Sequence, residues 1–161
     1  MDDHENEPLT IAGNWNFDYR YFAGEAATRF FRELRDNNRI MGTRSPASGK
    51  VMVPARSFSD DDYLPATEWV ETGPGGKLEV FSIVGTKFPG LPDPPFVIGY
   101  VTLDGADTAV LNYVSGVDLT DLDAAAAVLL KQPRVRAVFK ERCEGRITDF
   151  HFVVEAGGDA A

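Results

Sequence analysis

The spacing of apolar residues along this chain changes character twice. Over residues 19–38, YRYFAGEAATRFFRELRDNN, it is helical: Ala27, Phe30, Phe31 and Leu34 sit at i, i+3, i+4 and i+7 and share one face. Arg29, Arg32 and Arg35 fall largely on the other side, and Asn37–Asn38 suits a C-terminal stop. The pattern predicts an amphipathic helix over 19–38, preceded by a flexible arm over 1–18 with Trp15 and Phe17 as anchors. Residues 40–65 lose all period. They are rich in Gly, Ser, Pro and Asp around one apolar run, Val51–Val53, which predicts a turn-rich module with a small hairpin.

From residue 66 the period shortens to two. TEWVETG, KLEVFSIVGT, FVIGYVTL and TAVLNYVSG read as strands, separated by the Gly73–Gly76 turn, the Pro-rich segment 89–95 and Asp104–Gly105. Gly73–Gly76 lies between two strand segments and is expected to be a hairpin turn. DLTDLDAAAAVLLKQ then predicts a short helix, capped by Asp118, Thr120 or Asp121 and closed by Pro133. RVRAVFKER and RITDFHFVV supply two last strands, and residues 156–161 read as a disordered tail. Short strands with a helix before the final pair suit a mainly β, OB-fold Greek-key barrel over 66–155, provided one early strand is peripheral. A β-sandwich would not predict that helix. The division expected is thus an arm, a helix-plus-irregular module over 19–65, the barrel and the tail.

Charge redistributes the interest. The formal net charge is −9, yet residues 29–56 hold seven cations against Glu33 and Asp36, a local +5 that leaves −14 for the rest. Asp60, Asp61 and Asp62 follow at once. An acidic chain is a poor nucleic-acid partner, because backbone phosphates repel it. A basic patch on such a chain can hold a phosphorylated small molecule or dock an acidic surface. Single-strand nucleic-acid binding is the competing function for an OB barrel, with Phe81, Tyr100 and Tyr113 as stacking platforms. Residues 66–154 carry eight cations against twelve acids, which weighs against it. No stretch is long enough to span a membrane, and the acidic start MDDHENEP is no signal peptide, so the expected location is cytoplasmic.

Catalytic material is scarce. No nucleophile elbow, phosphate-binding loop, zinc-protease helix or dinucleotide fingerprint occurs. Cys143 is the one cysteine, so disulfides and multi-cysteine metal sites are excluded. It has no histidine near it in sequence, and His151 alternates with Phe150 and Phe152 on a strand. Neither residue is expected to be catalytic. The run Asp60–Asp62 lacks the spaced ligands of a calcium loop and reads as a solvated turn.

Residues 44–62, RSPASGKVMVPARSFSDDD, have the layout of a zinc ribbon, in which two C-x2-C knuckles hold one metal. Here Ser45 and Ser48, then Ser59 and Asp62, stand at the knuckle positions, so zinc binding is expected to be lost. With this layout come the aromatic helix YFAGEAATRFFRELRDNN, Pro54-Ala55-Arg56, EWVETGPGGKLEVFSIV, PPFVIGYVTLDG and RVRAVFKER. In that order they resemble the DUF35 family, acyl-CoA-associated OB-fold proteins with an N-terminal helix and a rubredoxin-like zinc ribbon. The resemblance spans roughly residues 20–154 and departs at the four knuckle positions. It implies a non-catalytic accessory subunit of a thiolase-like enzyme complex, binding no cofactor of its own but sharing a coenzyme A thioester with its partner. On that reading Arg44, Lys50, Arg56 and Lys87 are candidates for the coenzyme A phosphates, and Phe88 for the adenine or pantetheine chain. Tyr21, Phe22, Phe30 and Phe31 are the candidates for the partner interface.

Overall fold

The computed structural model describes residues 10–155. The beginning of the expected arm and the whole of the expected disordered tail lie outside the described residues. Helix α1 spans Glu25–Asn37, starting later than its periodicity predicts. Gly24, at φ 85°, breaks the helical path, and its carbonyl accepts the Thr28 N–H at 3.0 Å as the first helical bond. Asn38 ends the helix in the left-handed region at φ 51°. Phe30 and Leu34 are buried, while Ala27 and Phe31 are half-buried, so the expected apolar face is the one that packs.

A small antiparallel sheet follows, with β1 (Met41–Arg44) between β2 (Val51–Met52) and β3 (Glu68–Glu71). The segment around 66–71, expected in the barrel, therefore pairs with β1, in the register Thr43↔Trp69. It is the peripheral strand that the OB reading requires. Thr72 closes the sheet by donating its N–H and hydroxyl to Ile40 O, after which the chain turns away. Gly73–Gly76 is consequently a link between two sheets rather than a hairpin turn, because β3 and β4 do not pair.

Five strands close a barrel: β4 (Gly75–Val84), β5 (Phe96–Leu103), β6 (Ala109–Ser115), β7 (Arg134–Phe139) and β8 (Phe150–Val154). Their order is β4-β5-β6-β8-β7. Helix α2 (Leu122–Leu129) lies between the third and fourth barrel strands, capped by Asp121, whose side chain accepts from the Asp123 and Ala124 N–H groups. This is the expected mainly β, OB-type arrangement. Leu78, Val97, Val101, Val110, Val114, Val135, Phe150 and Phe152 fill the interior, and Phe30 and Leu34 of α1 join the same core.

Two features fix the body as one unit. The β5–β6 loop docks on the outer edge of β2: the Val51 N–H donates to Asp107 Oδ2 at 2.8 Å and the Val53 N–H to Thr108 Oγ1 at 2.7 Å. Strand β4 pairs with β5 and β7 through the same residues, Gly76 facing Leu103 on one side and Val135 on the other. A Cβ at Gly76 would lie 2.6 Å from the Thr102 carbonyl oxygen and 2.8 Å from Val101 Cγ1. Backbone cannot retreat there without opening the barrel. Gly76→Ala is expected to cost about 1–3 kcal/mol, the usual range for overpacking. The midpoint of a urea unfolding curve should fall accordingly, and an unchanged midpoint would show that the seam has slack.

Candidate functional site

Of the four knuckle positions, Ser45 and Ser59 meet the Asp62 carboxylate, and Ser48 reaches it only through Ser45. Ser45 Oγ donates to Asp62 Oδ2 at 2.7 Å, and the Ser48 N–H donates to Ser45 Oγ at 3.2 Å. Asp62 also accepts the Leu64 N–H at 2.9 Å. Its carboxyl is held below the usual range by that Leu64 bond first, then by the hydroxyls of Ser45 and Ser59. Hydroxyl donors around an anion thus join the two turns. These residues do not fit zinc: serine keeps its proton near neutral pH, and the oxygens are already spent on one another. No three His, Cys, Asp or Glu side chains gather as a metal site among the described residues.

Each candidate phosphate cation has a carboxylate partner. Arg44 Nε meets Glu68 at 2.9 Å, Lys50 Nζ meets Asp61 at 2.8 Å, Arg56 Nη1 meets Asp60 at 2.8 Å, and Lys87 pairs with Asp93. The basic segment is therefore matched locally by the acidic run that follows it and by Glu68. Lys50 is held above its ordinary value chiefly by its hydrogen bond to Asp61. Arg56 lines a groove of about 490 Å³ beside the start of α1, together with Ala23, Ala27 and Phe58. Arg44 and Lys50 line neither that groove nor the cleft that holds Phe88.

The partner candidates divide. Phe30 is 1% exposed and stacks edge-on against Phe31, so it belongs to the core, and Phe31 is half-buried against that core. Phe30 is not free to meet a partner, because the apolar stripe that suggested it is covered within the chain, whereas Phe31 keeps part of its surface exposed. Tyr21 and Phe22 precede the helix instead of lying on it, and both are largely exposed.

Phe88 and Tyr113, both singled out from the sequence for different roles, are walls of one apolar cleft. Beside Phe88, the cleft of about 370 Å³ is lined by Leu91, Phe96, Ile98, Leu111, Tyr113 and Ile147. It lies where the β4–β5 loop and the 3-10 turn Ile147–Asp149 meet the outer face of β5 and β6. Oligomer-binding OB folds use the corresponding strands and loops. Next to it Val80, Tyr100 and Leu111 form an exposed row across β4, β5 and β6. The signal was present: FVIGYVTL and AVLNYVS are apolar on both alternating faces, and only one face can line the interior. Of the candidate stacking platforms, Phe81 packs on the core and Tyr113 stacks on Phe96, leaving Tyr100 exposed among aliphatic neighbours.

Cys143 is poorly placed as a nucleophile. Burial pushes its thiol up, and the Asp149 carboxylate beside it adds to the effect. Its Sγ lies 3.3 Å from Asn38 Oδ1. His151 sits half-buried on β8, paired across to Val138. Asp149 organises this end of the barrel. Burial raises its carboxyl, but the N–H groups of Arg146, Glu144 and Gly145, at 2.8, 3.0 and 2.6 Å from Oδ2, outweigh that and hold it below the usual range.

No family model matches the sequence, and no curated protein matches it. Solved structures do. A DUF35-family protein of unknown function from Sulfolobus solfataricus aligns with a TM-score of 0.58 at 18% identity, covering 82% of this chain and 87% of the other. The Ltp2-ChsH2(DUF35) aldolase aligns with a TM-score of 0.57 at 14% identity, covering 83% and 96%. No helix among the described residues is long and apolar enough to cross a membrane.

The Asp149 geometry predicts a pH effect. A depressed carboxyl contributes stability that is complete above pH ~4 and is lost as pH falls through the folded value. Asp149→Asn should lower Tm by several degrees at pH 7 and by less at pH 2, read by calorimetry across that range. Equal losses at both pH values would show that the charge is irrelevant. Helix, small sheet and five-stranded barrel together align with those two structures over 82% and 83% of this chain, and its fold is the DUF35 fold.

Proposed function

We propose that this chain is a non-catalytic accessory subunit of a thiolase-like enzyme acting on acyl-CoA or similar acyl substrates. The observation that carries the proposal is the shared fold with the DUF35 component of the Ltp2-ChsH2(DUF35) aldolase, which covers nearly all of that chain. Three local features support it. The only thiol is shifted away from the thiolate form. The barrel carries an apolar cleft suited in size and lining to an acyl or pantetheine chain. Tyr21, Phe22 and Phe88 are large exposed apolar groups of the kind that associate.

On this reading the partner holds the nucleophile and base, and the chain helps assemble it and shape its acyl site. Coenzyme A contributes a 3′-phosphate and a pyrophosphate. Exposed ion pairs are weak, so a phosphate can displace Glu68, Asp61, Asp60 or Asp93 from Arg44, Lys50, Arg56 or Lys87.

Co-expression with each thiolase-like protein of the source organism, followed by affinity purification and gel filtration, tests the assignment. A stoichiometric complex whose acyl-CoA activity exceeds that of the thiolase-like protein alone is expected. A monomer that co-purifies with none of them sinks the reading. The phosphate role has a separate measurement, calorimetric titration of the complex with coenzyme A. Changing Arg44, Lys50, Arg56 and Lys87 singly to Ala should weaken binding about three- to tenfold wherever the cation meets a phosphate. Unaltered affinity in all four variants removes that role and leaves the subunit assignment standing.

A further inference from the structure

The segment Trp15–Tyr21 has the period of an amphipathic strand but pairs with no sheet. Its side chains alternate, with Trp15, Phe17, Tyr19 and Tyr21 on one face and Asn16, Asp18 and Arg20 on the other. The four rings follow one another with centroids 6.0, 5.9 and 6.1 Å apart, near the ~6.7 Å repeat of alternate residues in a strand. All four are between 63% and 87% exposed. Among the described residues, no backbone N–H from Thr10 to Ala23 donates to a backbone carbonyl. Gly24, in the left-handed region, separates this segment from α1. The arm thus has the period of a half-buried strand, with neither its ladder nor its covered face satisfied.

A second copy of the chain offers only one short open edge. The barrel is closed. Its shortest seam, the two residue pairs between β6 and β8, is supplemented by the Asn112 side-chain bond to Ile147 O at 2.9 Å. In the small sheet the outer edge of β2 is taken by Asp107 and Thr108. The opposite edge is β3, four residues long, and before it the Ala66 N–H goes to Ser57. Four residues could pair only part of a seven-residue strand. The apolar row Val80–Tyr100–Leu111 would meet the rings with side chains and leave the arm's main chain to water.

We propose that residues 15–21 add as a strand to an open sheet edge of the thiolase-like subunit, with the aromatic face laid on an apolar strip beside that edge. This rests on the function proposed above and specifies how the partner is held. The areas agree. An aromatic side chain buries about 150–250 Å², so the four supply roughly 600–1,000 Å². A standard interface takes about 800 Å² from each partner. Main-chain bonds would set the register, and the alternate aromatic pockets would set the choice of partner.

The test uses the full chain and the thiolase-like subunit with which it co-purifies. The variant Trp15→Ala/Phe17→Ala/Tyr19→Ala/Tyr21→Ala should weaken the complex at least a hundredfold by titration calorimetry, with an unchanged circular-dichroism melt because these residues lie outside the core. In the wild-type complex, amide hydrogen exchange over 15–21 should slow at alternate residues, tenfold or more. A quadruple variant that binds within twofold of wild type overturns the arm and leaves the subunit reading intact. Weakened binding without alternating protection overturns strand addition. Dimerisation of the isolated chain that the quadruple variant abolishes would place the arm on a second copy instead. Failure of any complex to form removes both the reading and this inference.

Discussion

Everything in this molecule depends on how closely β4 can approach its two neighbours at once. Gly75, Gly76 and Lys77 face β7, and Gly76 and Lys77 also face β5, so the barrel closes over a stretch where side chains have almost no room. A Cβ on Gly75 would sit 2.8 Å from Asp104 Oδ2 and 2.9 Å from Arg134 Nη2, within the bidentate clamp that ties the β5–β6 turn to β7. Asp104 is held below its ordinary range chiefly by its hydrogen bonds to that guanidinium. Closure here fixes the loop 104–108, and the loop in turn holds β2 through Asp107 and Thr108. The position of the small sheet is therefore a consequence of the glycines.

The small sheet needs such support because it has little core of its own. Val51, Met52 and Val53 are buried, but much of what joins its turns is polar. Thr43 Oγ1 donates to Arg56 O and accepts the Arg56 N–H, and Ser45 reaches Asp62 across the two turns. The cations of the preceding segment take their counter-ions from the same region, so the division of charge along the sequence is largely cancelled in space. A +5 segment followed by three aspartates reads as a binding patch in one dimension and as a set of ion pairs in three.

The sequence made the barrel legible because its signals were local and redundant. Period-two runs, an Asp-capped helix and turn residues at their ends agreed with one another, and the helix slot between the third and fourth barrel strands selected the OB topology. The destination of EWVE was not legible, since pairing with β1 is a non-local fact that alternation cannot encode. The aromatic segment was misassigned for a physical reason. YRYF precedes a real helix and contains apolar residues, so a helical window extended over it, whereas the alternation from Trp15 to Tyr21 obeys the strand period. Gly24, where the two periods meet, was the residue able to separate them. Phe30 shows the converse limit: a helical stripe marks a covered face without saying whether the cover comes from the same chain.

What the closed barrel leaves over determines how the protein can associate. A sheet with free edges recruits partners through its main chain, but here the barrel has no free edge and β2 is capped, so main-chain recognition falls to the arm and the short outer edge of β3. Side-chain recognition falls to the outer face of β4–β6, where strands apolar on both faces leave Val80, Tyr100 and Leu111 uncovered beside the Phe88 cleft. These two surfaces differ in kind. The arm is extended and exposed on all sides, so ordering it costs conformational entropy that only a large contact offsets, which favours a protein. The cleft is built on strands and a 3-10 turn already held in place by Asn112 and Asp149, so little ordering is lost on filling it, which favours a small apolar chain. On the proposed reading, gripping a partner and offering an acyl chain a preformed wall would fall to separate elements of the fold.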